Sequence, residues 1–433
     1  MATRRSQIGG QLVSDAQINK VRDVSALSSR WYREREVFAF LFFLSAITLA
    51  SAFAVDLSAV DGPYRSAVKG AGIEKYVRDG LIVLVFLYSA VFYFSSTVKM
   101  YSIIAIPAML SMLFRSDDFS IYGALAVFRI CSVFSIGILF VYALENRRID
   151  VFGGIRVIFI FYLIATCVVA YSQVFEGGGF FGSTFFGPRI LGFTDNPIIL
   201  SQTMACIVII ILMNEKRILL DYGLIGVCFF LALLSGGRGG LLSILIAILT
   251  SVFVNRNKNS WMAYYYIFGI AILMPMIFGL LSDPAISGRV TLSQQDQDGR
   301  IVAWSGLLEA YIFPEYSSIL FGNVLGLGAN SLVGIFHADP GVLNFQPVIA
   351  DSFFMFVCLS FGFFGLMIAL TVIANLACKS SFYYKILLFG SILPLIFSLN
   401  TFELQPANIF LVCAFVYVWR SGRATVGGDM GAA

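Results

Sequence analysis

The chain has 433 residues, 59% of them hydrophobic and only 12% charged, with a formal net charge of +4 and a mean hydropathy of +0.87. A soluble domain carries about 25% charged residues, so half of the charge that would keep its surface in water is missing. That excludes a soluble globular protein, and nothing in the charge points to nucleic acid as a partner.

Residues 1–36 are polar and net basic, which predicts a cytoplasmic tail against anionic lipid. They form too long a lead to be the n-region of a signal peptide. Twelve apolar runs follow, matched to a hydrocarbon core of roughly 30 Å. The first nine are Val37–Val55, Leu81–Ser96, Tyr101–Phe114, Ile121–Leu144, Val151–Tyr171, Pro197–Asn214, Ile218–Leu234, Leu241–Val254 and Trp261–Leu281. The last three, within residues 351–419, are Ser352–Ala377, Phe382–Leu399 and Ala407–Trp419, and residues 420–433 form a second cytoplasmic tail. The third run is the shortest and holds Pro107, which predicts a tilted or broken helix. The fold class is therefore an all-α polytopic membrane protein of about twelve helices.

Lysine and arginine accumulate on the cytoplasmic side. With an inside N-terminus, nineteen of the 29 fall on the inner face, nine on the outer, and Arg129 lies within the fourth run. The seven cysteines sit in or beside apolar runs and His337 is the sole histidine. These read as packed thiols, with no metal site and no cofactor.

Two outer segments stand out. Ser172–Asp195 is rich in glycine and phenylalanine, as in a chain dipping into the interface or an aromatic belt. Ser282–Ala350 is the longest loop, and loops of that size are mostly functional or disordered. Within it, Gly299–Tyr311 reads as a short helix with Arg300, Trp304, Leu307, Leu308 and Tyr311 on one face, followed by a glycine-rich turn, Gly322–Gly328.

The outer charges carry the candidate chemistry: Arg189 before a run, Arg238 between two runs, Arg300 at the loop helix, and Asp351 with His337 before the tenth run. Arg129 lies toward the outer end of its run. An arginine at membrane depth costs about 2.5–3.5 kcal/mol on insertion scales and about 10 or more by simulation, so it normally faces a polar cavity. Arginine suits phosphate because its planar fork gives two parallel hydrogen bonds and stays protonated. Asp195-Asn196-Pro197 is a helix-start signal that would turn backbone N–H groups toward the same face. Taken singly, each arginine is equally explained by snorkelling or an ion pair, Asp351 by an N-cap role, and His337 by a solvated loop.

At these residues the chain resembles the O-antigen polymerase and O-antigen ligase family. The resemblance covers roughly residues 150–400 and rests on four stretches. They are Arg189-Ile190-Leu191-Gly192 running to Asn196-Pro197; Ser235-Gly236-Gly237-Arg238-Gly239; Gly299-Arg300 with Trp304 and the Gly326-x-Gly328 turn; and Asp351-Ser352 followed by Gly362-Phe363-Phe364-Gly365. Ligases usually carry histidine where this chain has Asp351, so the polymerase branch is favoured.

The resemblance implies a metal-independent, inverting glycosyltransferase of the bacterial inner membrane with its active face in the periplasm and Ser282–Ala350 as its large periplasmic loop. Donor and acceptor would be polyprenyl-pyrophosphate-linked glycans, with membrane lipids, a flippase and a chain-length regulator as partners. Arg189, Arg238 and Arg300, with Arg129, would bind pyrophosphate, Asp351 or His337 would serve as base, and Trp304 would stack on a sugar. The alternatives are a ligase that transfers the glycan to lipid A–core or protein, and a non-enzymatic flippase for the lipid-linked unit. Alkaline phosphatase fused after Gly236 is expected to be active and fused after Asn255 inactive; the reverse pattern would place the candidate site in the cytoplasm.

Overall fold

A computed structural model describes residues 34–52, 73–114, 120–145, 149–175, 183–184, 187–188, 190–194, 197–214, 217–254, 294–338, 341, 343, 345–350, 352–380, 382–396, 398 and 403–428. Its helices are α1 (Glu34–Ala52), α2 (Ile73–Phe92), α3 (Phe94–Phe114), α4 (Ile121–Ser132), α5 (Phe134–Glu145), α6 (Val151–Phe175), α7 (Pro197–Met213), α8 (Leu219–Ser235) and α9 (Arg238–Val254). After the expected ninth run, which lies outside the described residues, come α10 (Gln294–Tyr311), α11 (Tyr316–Phe321), α12 (Asn330–Ala338) and α13 (Phe353–Lys379). The chain closes with α14 (Phe382–Ile386), which continues through a π-helical turn, Leu387–Ile392, into Leu393–Ile396, and with α15 (Ala407–Gly428). Among the described residues, one antiparallel ladder pairs Ser183–Thr184 (β1) with Gly187–Pro188 (β2).

Among the described residues, five helices are long and apolar enough to cross a membrane: Glu34–Ala52, Phe94–Phe114, Ile121–Glu145, Val151–Tyr171 and Phe353–Cys378. Five more, in α7, α8, α9, α14 and α15, are apolar but shorter. The expected second run falls in α2, whose first turns carry Glu74, Lys75, Arg78 and Asp79.

The bundle is built around α7. Every residue of this helix except Ile198 is buried, as expected for a helix that is apolar on all sides. Its run of β-branched residues, Ile207–Ile211, favours strand in water; in an apolar surround only a helix satisfies each backbone group within the segment. α8, α9 and α15 enclose it. Direction follows from paired contacts. Ser201 meets Gly237 and Gly240 while Arg217, just past α7, meets Ser251, so α7 and α9 run in parallel. Gly137 faces Val412 and Val416 while Val141 meets Arg420, so α5 and α15 also run in parallel. Cys206 lies beside Cys413, and Tyr383 meets Leu212 while the adjacent Tyr384 lies 6.1 Å from Tyr417, so α15 runs parallel to α7.

The end at which α7 and α9 finish is closed by arginines that have partners. Arg217 donates to the carbonyls of Asn214 (3.1 Å) and Leu212 (2.7 Å) and to Ser251 Oγ (2.7 Å). These are the helix C-terminal carbonyls that have no partner within the helix, and a cation there also meets the negative end of the dipole. Arg420 does the same for Val141. Arg156 makes a two-pronged pair with the buried Asp221, at 2.6 and 3.0 Å, and Asp221 also accepts the Ile218 N–H at the start of α8.

Three expectations change. The third apolar run is no short segment: α3 spans 21 residues and keeps Pro107 buried inside it. The turn before it lies at Tyr93, not near Lys99. Phe86 and Tyr101 come within 5.1 Å across that turn, Tyr93 stacks on Tyr142 at 4.1 Å, and Thr97 Oγ1 donates to the Ser89 carbonyl. The fourth run remains one candidate span, Ile121–Glu145, but its helix is irregular at Val133, between α4 and α5. The Tyr101 hydroxyl lies 3.2 Å from the carbonyl oxygens of both Cys131 and Ser132 and 2.6 Å from Ser135 Oγ, and so serves the carbonyls that the break releases. Tyr101→Phe is expected to lower unfolding stability by about 1 kcal/mol, measured by denaturant titration of the purified protein in detergent, with wild-type stability counting against this role.

Candidate functional site

The end at which α7 and α9 begin brings the first two sequence motifs together. The segment Ile190–Thr194 is tied down from two sides. The Ile190 N–H donates to the Leu234 carbonyl at the end of α8 (3.3 Å). Gln173, in the last turns of α6, accepts the N–H groups of Leu191 (2.9 Å) and Gly192 (3.1 Å). The Ser-Gly-Gly-Arg-Gly turn then folds over the first turns of α7. A Cβ on Gly240 would collide with the backbone carbonyl of Ser201, so only glycine lets α9 approach this closely.

Two helix N-termini therefore lie side by side, each with unpartnered N–H groups and a partial positive charge. Arg238 is the first residue of α9 and is exposed. Among the described residues it has no hydrogen bond or ion pair. Such an end can hold an anion.

The third and fourth motifs meet as well. α13 is bent at Gly362, whose φ of 64° and ψ of −163° are open to glycine alone. Gly322, at φ 86°, packs backbone to backbone against this bend. The Asn323 N–H donates to the Leu359 carbonyl (2.9 Å) and the Gly326 N–H to Ser360 Oγ (3.2 Å). Asn323 Nδ2 in turn donates to the Tyr311 carbonyl at the end of α10 (2.9 Å). The same turn binds the strand that leads to α13, through Val348 N–H to Leu327 O (3.2 Å) and Ala350 N–H to Gly328 O (3.3 Å).

The expected site residues divide accordingly. Arg189 and Asp351 lie outside the described residues, but each adjoins a fixed neighbour, the buried Ile190 and the buried Ala350 and Ser352. The N-cap geometry of α13 belongs to Ser352, one residue after Asp351. Arg300 lies on α10 and His337 on α12, a helix where the sequence suggested a loop; their side chains are outside the described ones. Trp304 is half-buried, packed with Leu307, Leu308 and Tyr311 against the apolar core. Arg129 has a partner, since its Nε lies 3.3 Å from Asp79 Oδ2, although the N–H is not directed along a hydrogen bond. Asp79 also binds the Nε of buried Arg78 at 3.3 Å. The Asp79 carboxylate thus joins α2 to α4 through Arg129, while Arg78 is its neighbour on α2.

Sequence reasoning missed Gln173, Glu403 and Gln405. Their only signal was a polar side chain at the edge of an apolar run. Glu403 Oε1 accepts the Ser331 N–H at the start of α12 (2.6 Å), which fixes the helix that carries His337. No protein-family model matches the chain, and no curated protein matches it.

Gly362→Ala is expected to cost about 1–3 kcal/mol in backbone strain, with a further loss from collision with the Gly322 turn. A lowered melting temperature of the purified protein checks this, and an unchanged one would show that the bend tolerates a side chain.

Proposed function

We propose that this chain is a membrane glycosyltransferase that polymerises polyprenyl-pyrophosphate-linked oligosaccharide repeat units into a surface polysaccharide. On this reading twelve spans sit in a bacterial inner membrane, and the Arg238 end, with the loop of residues 282–350, faces the periplasm. The observation that supports it most is the juxtaposition of the Ile190–Thr194 segment with the Ser235–Gly240 turn. The family resemblance gives both stretches to the same site, and they meet where two helices begin beside an arginine with no partner among the described residues.

Arg238, with Arg189 and Arg300, would hold the pyrophosphate of the donor. Arg129, already paired, is better assigned to joining α2 and α4. The acceptor hydroxyl oxygen bonds to the anomeric carbon of the donor as the bond from that carbon to the pyrophosphate oxygen breaks. The electron pair leaves with the lipid pyrophosphate, whose growing charge the arginines stabilise, and the hydroxyl proton passes to Asp351. His337 is the second choice of base. Attack opposite the leaving group inverts the anomeric centre. Trp304 would offer the exposed part of its indole to a sugar ring.

Arg238→Ala or Arg300→Ala is expected to reduce polymerisation by about 10²–10³-fold. At matched protein level, cells should then accumulate single lipid-linked repeat units and lose long polysaccharide. Retained long lipid-linked chains that never reach their final acceptor would favour the ligase. Repeat units held on the cytoplasmic leaflet would favour the flippase. Normal long polysaccharide in both variants would overturn the pyrophosphate clamp. Asp351→Asn and Asp351→Ala should both abolish elongation, and full activity in both would remove Asp351 from the chemistry.

A further inference from the structure

The segment before α15 holds polar groups that the proposed pyrophosphate clamp does not use. Glu403 is only 2% exposed and Gln405 only 6%. Gln405 buries both its amide oxygen and its amide nitrogen, and among the described residues neither has a hydrogen-bond partner. The hydroxyl of Ser331, whose backbone N–H binds Glu403, is likewise buried and unpartnered among the described residues. Gln202 Oε1 is a further such atom on α7, the helix that packs along α15.

Folded proteins satisfy nearly all their buried polar atoms, because an unmet amide in an apolar surround loses its bonds to water with no return. Two such side chains, Gln405 two residues from a buried carboxylate and Ser331 bonded to that carboxylate through its backbone, therefore point to a ligand. The chemistry of the set narrows its class. A carboxylate repels phosphate and accepts from hydroxyl groups, while a primary amide offers a donor and an acceptor side by side. An acyl chain offers neither. Adjacent hydroxyls on a sugar ring supply both.

We propose that Glu403, Gln405 and Ser331 form a subsite for ring hydroxyls of the neutral sugar end of the acceptor glycan. The proposal rests on the polymerase reading above. It places acceptor recognition beside the start of α12 and pyrophosphate recognition beside the start of α9, so that sugar and leaving group are read by separate parts of one end of the bundle.

The test uses the full-length protein in nanodiscs and two probes: undecaprenyl pyrophosphate, which has no sugar, and the lipid-linked repeat unit extracted from cells that lack this protein. Wild type is expected to bind the repeat unit more tightly than the bare lipid. Gln405→Leu should weaken binding of the repeat unit by about tenfold and leave the bare lipid unaffected. It should also raise the melting temperature, because an apolar side chain replaces an unmet amide. A merely structural amide predicts the opposite shift. If Gln405→Leu lowers the melting temperature, the proposal is judged on Ser331→Ala, which keeps the backbone bond to Glu403 and should lose part of the same sugar-dependent increment. An undiminished increment in the stable variant would overturn the subsite while leaving the polymerase reading intact. Failure of wild type to bind either lipid would overturn the polymerase reading and this inference with it.

Discussion

A helix in an apolar surround has no water to fall back on, so every interruption of its backbone hydrogen bonding must be answered by another part of the protein. Much of this fold follows from how the interruptions are answered. Tyr101 reaches across from α3 to the carbonyls released between α4 and α5. Arg217 returns to the last carbonyls of α7. Gln173 takes two N–H groups of the chain that approaches α7, and Glu403 takes one at the start of α12. Each of these side chains comes from a different element than the backbone it serves, or from beyond that element's end. The repairs therefore double as the contacts that hold the elements in register.

The two ends of the bundle differ in the fate of their charges. At the Arg217 end, Arg156, Arg217 and Arg420 all spend their N–H groups on carbonyls, a hydroxyl or Asp221. These are fixed bonds that stabilise helix ends and leave little for a ligand. At the Arg238 end, two helix starts lie beside an exposed arginine, and in the segment before α15 the buried amide of Gln405 has no partner among the described residues. Among the described residues, the arginines are committed to fixed bonds at one end and Arg238 is left uncommitted at the other.

Much of this was legible in the sequence. The start of α7 at Pro197 and of α13 after Ser352 followed from capping and proline signals, which act locally. The glycines of the third and fourth stretches were legible only as a turn and a resemblance; that Gly322, Gly326 and Gly362 are places of close backbone approach depends on chain segments distant in sequence. The turn at Tyr93 was misplaced because a lysine marks an interface and not a bend; stacking on Tyr142, distant in sequence, sets the turn. The break at Val133 carries no proline or glycine, only the serines around it, because a tyrosine on another helix makes it tolerable. Glu403 and Gln405 fall between two apolar runs, where nothing local marks them as buried, since burial is decided by the elements that pack over them. The helix expected over Gly299–Tyr311 lies within α10, whereas α11 and α12 were too short for periodicity to declare.

The lengths of the central helices have a consequence for the surrounding lipid. α7, α8 and α9 each contain 17 residues, about 26 Å at a rise of 1.5 Å per residue, against a hydrocarbon thickness of about 30 Å. α7 is sheltered by its neighbours, but α8 presents Leu219, Leu220 and Phe230 outward. A bilayer that meets α8 must thin at that flank or draw in shorter acyl chains to cover the mismatch. Headgroups drawn in at that flank would come level with the turn between α8 and α9, where Arg238 is exposed.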